Sequence, residues 1–177
     1  GGEAMEGFSN AAVLGSNIII IVNDNEMSIA ENHGGIYTNL RLLRETKGKA
    51  ELNMFKALGF EYLYVEDGNS TSKMIEALSK VKDTKAPTVV HIHTLKGKGY
   101  CPAVEDKEKW HWSMPFDLET GEPHIRLSEE NYGEITYNFL SNKIKEDKEV
   151  VLINAGIPKA YGVNSERRKA LGRNYVD

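Results

Sequence analysis

Asn17-Ile18-Ile19-Ile20-Ile21-Val22-Asn23, followed at once by Asp24-Asn25-Glu26-Met27-Ser28-Ile29, decides how this chain folds. An unbroken run of β-branched aliphatic residues reads as a strand buried on both faces, as in parallel sheets. The polar residues Asn23 to Asn25 stop the run abruptly. In open α/β sheets, ligands bind at the C-terminal ends of such strands. On the N-terminal side, Met5, Phe8 and Ala12 predict a short helix over about residues 3–14, ended by Gly15-Ser16. On the C-terminal side, residues 37–58 read as helix in two pieces divided near Gly48, with Met54, Phe55 and Leu58 as an apolar stripe and Gly59 as C-terminal cap. Glu61 to Val65 is a second strand. Ser70 or Thr71 can cap a helix carrying Met74, Ile75, Leu78 and Val81, and Thr88 to Thr94 is a third strand after Pro87. Alternating strands and helices predict an α/β fold with a parallel sheet flanked by helices.

The composition of the 177 residues, 40% hydrophobic and 27% charged, is that of ordinary soluble globular protein. A formal net charge of −4 and a pI near 5.8 argue against a general nucleic-acid binder, although one local site can still take a phosphorylated ligand. Cys101 is the only cysteine, which excludes an intrachain disulfide and favours a reducing, cytoplasmic setting. The longest apolar run, Ile18 to Val22, is far short of the roughly 20 residues that span a bilayer, so no membrane association is expected. The N-terminus lacks the pattern of a signal peptide, and Asn69-Ser70-Thr71 is read as a chance match to a glycosylation acceptor. With no initiator methionine, the chain is expected to open in mid-sequence.

Composition shifts after Thr94: residues 96–123 are rich in Lys, Gly, Glu, Asp, Trp and Pro and read as a long loop, functional and linking. Helical spacing returns near Tyr132 with Ile135, Phe139, Leu140 and Ile144, then a strand over 150–154 and a helix near 165–171. That is the start of a second α/β domain, giving a division into residues 1–118, a linker at 119–130, and 131–177.

Asn23, Asp24 and Asn25 offer hard oxygen acceptors at a strand end, suited to Mg²⁺ held partly by phosphate oxygens. The same residues also suit an Asx-rich turn bonded to its own backbone. Thr94 to Tyr100, with its glycines at 97 and 99, is either an ordinary glycine-rich loop or a turn that presents Tyr100. His111, between Trp110 and Trp112, is either a surface residue or a group that donates hydrogen bonds and moves protons. His91 and His93 share one strand face, but no nearby His or Cys completes a ligand set, so they read as core or helix-facing residues.

The run Asn23-Asp24-Asn25-Glu26-Met27-Ser28-Ile29 with Glu31-Asn32 resembles the second half of the thiamine-diphosphate motif of the 1-deoxy-D-xylulose-5-phosphate synthases, a transketolase-like family. Further pieces follow in the family's order: Ala57-Leu58-Gly59-Phe60-Glu61-Tyr62, Asp67-Gly68, Thr94 to Tyr100, Pro102-Ala103, His111 and Pro115-Phe116-Asp117. Ile153 to Pro158 and Arg173 to Asp177 resemble the opening of its pyrimidine-binding domain. The resemblance implies residues 1–118 as the C-terminal part of a diphosphate-binding domain and residues 131–177 as the beginning of the pyrimidine-binding one. It implies thiamine diphosphate and Mg²⁺ as cofactors, and pyruvate and glyceraldehyde 3-phosphate as substrates condensed with loss of carbon dioxide, in isoprenoid-precursor and thiamine biosynthesis. A cytoplasmic homodimer is implied as well. Asn25 would bind Mg²⁺ through its side chain and Met27 through its main-chain carbonyl; both belong to the cofactor site with Tyr100, and His111 would be catalytic, facing substrate.

The motif's opening Gly-Asp-Gly is expected upstream of Gly1 and the family's activating glutamate downstream of Asp177, which would leave this piece alone inert. Two departures stand out: the segment Gly34 to Lys56 is shorter than in typical members, and Trp110-His111-Trp112 is an unusual setting for the histidine. Transketolase or a split transketolase subunit shares the fold and cofactor but not Glu26-Met27-Ser28-Ile29. A noncatalytic α/β binding module is the reading from a different class.

Overall fold

The computed structural model describes residues 2–125 and 130–177. They form two compact units, Gly1–Glu26 with Asn32–Val104, and Met27–Glu31 with Glu105–Asp177. Of the expected linker, residues 126–129 lie outside the described residues.

The first unit is a parallel α/β layer. Helix α1 spans Gly2–Val13, strand β1 Ile19–Asp24, helices α2 and α3 Gly35–Glu45 and Met54–Leu58, strand β2 Glu61–Val65, helix α4 Thr71–Val81 and strand β3 Thr88–His93. The strand order is β1-β3-β2, all parallel, with Thr88 opposite both Ile19 and Glu61. Side chains alternate across the sheet, so β3 feeds two cores. Val89 joins Ala11, Leu40, Leu43, Phe55 and Phe60 on the α1–α2–α3 side. Val90 and Ile92 join Val65 and Ala77 under α4.

The isoleucine run is not buried on both faces as expected. Among the described residues it forms an edge strand: Ile21 is 49% exposed, whereas Val89 and Val90 on the central strand are 0% exposed. The reason is coverage: Met74, Ala77 and Val81 of α4 join the cluster of Val65, Val90 and Ile92, with Ile19 packed against it, whereas Ile21 stays outside it and open to solvent.

Local signals set the boundaries. Asn53 caps α3 by accepting from the N–H groups of Phe55 and Lys56, and Gly59 ends it at φ 103°. Ser70 caps α4 by accepting from Lys73. Cys101–Glu105, expected as loop, forms a short helix, α5; Pro102 sits in its first turn, where a missing N–H costs nothing.

The second unit contains the 3₁₀ turn Lys109–His111, helix α6 Tyr132–Glu146, strand β4 Leu152–Ile153, the 3₁₀ turn Pro158–Tyr161, helix α7 Ser165–Leu171 and strand β5 Tyr175–Val176. Strands β4 and β5 pair in parallel, and Asn174 donates to the carbonyls of Lys148 and Val150 beside them. Asn131 and Asn164 cap α6 and α7. Arg167 clamps Glu134 with two contacts of 2.7 Å, tying α7 to α6.

Gly48 takes φ 78°, and a Cβ there would lie 2.6 Å from Cβ of Tyr64, a residue that cannot yield without moving β2. Gly59 has a similar φ but open space around it. Gly48→Ala should therefore destabilise by roughly 2 kcal/mol or more, and Gly59→Ala by about 1 kcal/mol, the cost of the left-handed backbone alone. Urea unfolding of the two variants measures the difference.

Candidate functional site

The residues after the isoleucine run have divided roles. Asn23 accepts from the Thr94 hydroxyl at 2.6 Å. Asp24, the last residue of β1, is 4% exposed and turns inward. Its Oδ2 accepts from Arg44 of α2 and from His91 Nε2 of β3, the latter at 3.0 Å, while Oδ1 accepts from the Glu26 N–H at 3.1 Å. The expected trio of oxygen donors thus divides, with Asp24 engaged inside the fold and Asn23 engaged with Thr94 at the surface. Asn25, the next residue, is half-buried at the strand's C-terminal end.

Burial by itself would raise the Asp24 carboxyl. The hydrogen bonds from His91, Arg44 and the Glu26 N–H, with the Arg44 charge, outweigh it and hold the group at about 2. An ionised carboxylate only accepts, so His91 Nε2 carries the proton. The other ring nitrogen, Nδ1, lies 2.7 Å from the Tyr62 hydroxyl. Burial, with Tyr64 and Asp24 nearby, pushes the Tyr62 phenol up, so it stays protonated and donates to Nδ1. His91 is 0% exposed, with the rings of Phe55 and Tyr64 also against it.

Glu26 has φ 69°, a left-handed conformation that costs a non-glycine residue about 1 kcal/mol or more and clusters at functional sites. Two contacts hold it there: its N–H on Asp24, and its carboxylate 2.9 Å from His93 Nε2. His91 is a core residue, as expected, whereas His93 is a partly exposed strand-end residue rather than a core or helix-facing one; each has a carboxylate partner that sequence reasoning missed. Finding those partners needs the β1–β3 pairing, which sets Asp24 opposite His93 and is not encoded in either strand alone.

Tyr100 belongs to the same unit. The turn before it uses Gly97 at φ 84°, where a Cβ would meet the Ala103 carbonyl oxygen at 2.4 Å. Tyr100 donates its N–H to the Gly97 carbonyl and accepts from the N–H groups of Ala103 and Val104, so the first turn of α5 fixes it.

Met27 and His111 belong to the second unit. Met27 pairs with Glu31 in an antiparallel bridge around a tight turn. His111 is exposed on its 3₁₀ turn and lines a cleft of about 560 Å³ walled by Trp110, Trp112, Met114, Phe116 and Ile157. Trp110 meets Phe116 edge-on at 4.6 Å. Arg168, 8% exposed, donates to Glu108 at 2.6 and 3.0 Å and to Glu31 at 3.3 Å. The Glu108 hydrogen bonds push its guanidinium further up, and the cluster anchors the turn that carries His111.

Among the described residues, no three His, Cys, Asp or Glu side chains converge in a way that could hold a metal, and no helix is long and apolar enough to cross a membrane.

The depressed Asp24 carboxyl contributes stability that is present above the unfolded value, near 3.9, and lost as pH falls through about 2. In metal-free protein this amounts to about 2 kcal/mol between pH 5 and pH 2. Asp24→Asn should be less stable at pH 5 and should lack that portion of the acid-induced loss, as read by denaturant unfolding at each pH.

The sequence model of a family described as "1-deoxy-D-xylulose-5-phosphate synthase" matches residues 1–52 and 44–94, more than half of the chain. The two matched pieces overlap inside the stretch Gly34 to Lys56, where the sequence is shorter than expected. A curated protein named 1-deoxy-D-xylulose-5-phosphate synthase from Fusobacterium nucleatum is 36% identical over an alignment covering 84% of this chain and 30% of the relative. Its namesake from Listeria monocytogenes is 36% identical, covering 89% of the chain and 27% of the relative. The namesake from Porphyromonas gingivalis is 29% identical and covers 99% and 34%. The chain thus spans about a third of the length of such relatives, and the family-model match takes in the strand-end loop and the strands of the parallel sheet. The chain belongs to the 1-deoxy-D-xylulose-5-phosphate synthase family.

Proposed function

We propose that this chain works as part of a thiamine-diphosphate- and Mg²⁺-dependent 1-deoxy-D-xylulose-5-phosphate synthase. The reaction condenses pyruvate with glyceraldehyde 3-phosphate with loss of carbon dioxide, and serves isoprenoid-precursor and thiamine biosynthesis. Family membership supports the reading, and one feature supports it most: the turn at Asn25-Glu26, where a left-handed glutamate is held in place at the C-terminal end of β1.

The donor chemistry fits the metal. Mg²⁺ takes few protein oxygens and keeps several positions for water and phosphate. The Asn25 side-chain oxygen and the Met27 carbonyl are neutral hard donors of that kind. The Asp24 carboxylate is committed to Arg44 and His91. Bound there, thiamine diphosphate supplies the nucleophilic carbon and the electron sink that decarboxylation requires. The protein's part is to orient. In this reading Tyr100 packs against the cofactor, held by its turn and by α5. His111 donates hydrogen bonds to a substrate carboxylate or phosphate from its aromatic-lined cleft. Residues 1–118 would serve as the diphosphate-binding part, 119–130 as the link and 131–177 as the start of the pyrimidine-binding part, in a cytoplasmic homodimer.

The test uses the complete enzyme of which we propose this chain is part. Carbon dioxide release that depends on both pyruvate and glyceraldehyde 3-phosphate supports the assignment, whereas sugar-phosphate exchange without pyruvate consumption would point to a transketolase. Asn25→Ala should weaken Mg²⁺-dependent cofactor binding by tenfold or more in limiting magnesium, because the alanine leaves one octahedral position to water. His111→Asn should lower kcat/KM by about 10²-fold with cofactor affinity and thermal stability unchanged. Normal kinetics in that variant would reduce His111 to a surface residue.

A further inference from the structure

We propose that His91 is a positioning residue for Asn25, acting through Asp24 rather than touching cofactor or metal; the inference rests on the reading of Asn25 as a Mg²⁺ ligand. Asp24 Oδ1 accepts from the N–H of Glu26 at 3.1 Å, so the Asp24 side chain spans the backbone of Asn25 as an Asx turn does. Where Asn25 points therefore depends on where that carboxylate is pinned. Its second oxygen is held from two other elements, by Arg44 of α2 and by His91 of β3.

The two anchors differ. The Arg44 side chain is 14% exposed and also lies 3.8 Å from Glu26, so its guanidinium divides between two carboxylates. His91 has no exposure and has its other nitrogen on the Tyr62 hydroxyl at 2.7 Å. Tyr62 thus fixes the ring's tautomer, and the ring fixes the carboxylate. A chain of hydrogen bonds runs from β2 through β3 to the turn that carries Asn25. Hydrogen-bond partners of this outer kind set the orientation of groups nearer a metal, and their loss typically costs 10–100-fold in metal affinity.

The experiment uses the complete enzyme with saturating thiamine diphosphate and Mn²⁺ in place of Mg²⁺, the free ion being counted by its electron paramagnetic resonance signal. His91→Leu should weaken Mn²⁺ binding by about tenfold or more. His91→Gln, whose amide can still donate to Asp24, should recover most of that loss at a similar thermal midpoint. Equal losses in the Leu and Gln variants, in step with their unfolding temperatures, would make His91 a packing residue and overturn the proposal. Should His91→Leu fail to fold, Tyr62→Phe decides: weakened Mn²⁺ binding at an unchanged unfolding temperature supports the relay, and unchanged binding overturns it. Nitrogen-15 NMR of His91 should show Nε2 protonated and Nδ1 bare, and the opposite tautomer would also overturn it. Absence of Mn²⁺ binding in the unmodified enzyme would instead sink the metal-site reading itself, and this inference with it.

Discussion

A carboxylate almost out of reach of water is the constraint around which the first unit is arranged. Asp24 ends a strand that opens with four aliphatic residues, and its charge is tolerable inside the fold only because cationic and N–H donors come to meet it. Each donor comes from a different place: Arg44 from α2, His91 from the central strand, the Glu26 N–H from the turn itself. Removing one partner of such a buried group typically costs several kcal/mol, because the other is left unpaired. The network thus ties the sheet, the helix above it and the strand-end turn into one unit, with apolar packing of Leu43, Phe55 and Val89 beside it.

The same arrangement explains how a strained residue persists. Glu26 in the left-handed region is not stabilised by its own backbone preferences. It stays because its N–H and its carboxylate are both committed, to Asp24 and His93. The second unit repeats the principle with opposite charge: a single buried guanidinium, Arg168, holds two carboxylates from distant parts of the chain, one of them three residues before His111.

Much of this was legible from the residues. The helix caps at Ser70 and Gly59 follow local rules of side-chain and backbone chemistry, β2 stands out by its aromatic and aliphatic residues, and β3 by its β-branched ones, whereas the cap at Asn53 was not singled out. The isoleucine run was legible as a strand but not as an edge, because its composition does not tell which neighbours a strand acquires. The helix at Cys101–Glu105 escaped notice since five residues carry too little periodicity. Within the candidate site, Asn25 and Tyr100 were singled out by their likeness to a motif, whereas the partners of Asp24 had no such signal. Asp24 and His91 are far apart in sequence and meet only through strand register, a property of the folded sheet.

That register also dictates an order of assembly. Thr88 pairs with Glu61 on one side and with Ile19 on the other, and the second loop to be closed is much the longer. Loop closure favours the nearer pair, so β2 and β3 can zip first under α4, with the isoleucine strand arriving later. Until it arrives, Asp24 has no His91 to receive it and the turn at Asn25 has no fixed shape. The segment that completes the candidate site is therefore also the one that waits longest for its partner strand, and competence to bind is decided in the step that completes this sheet.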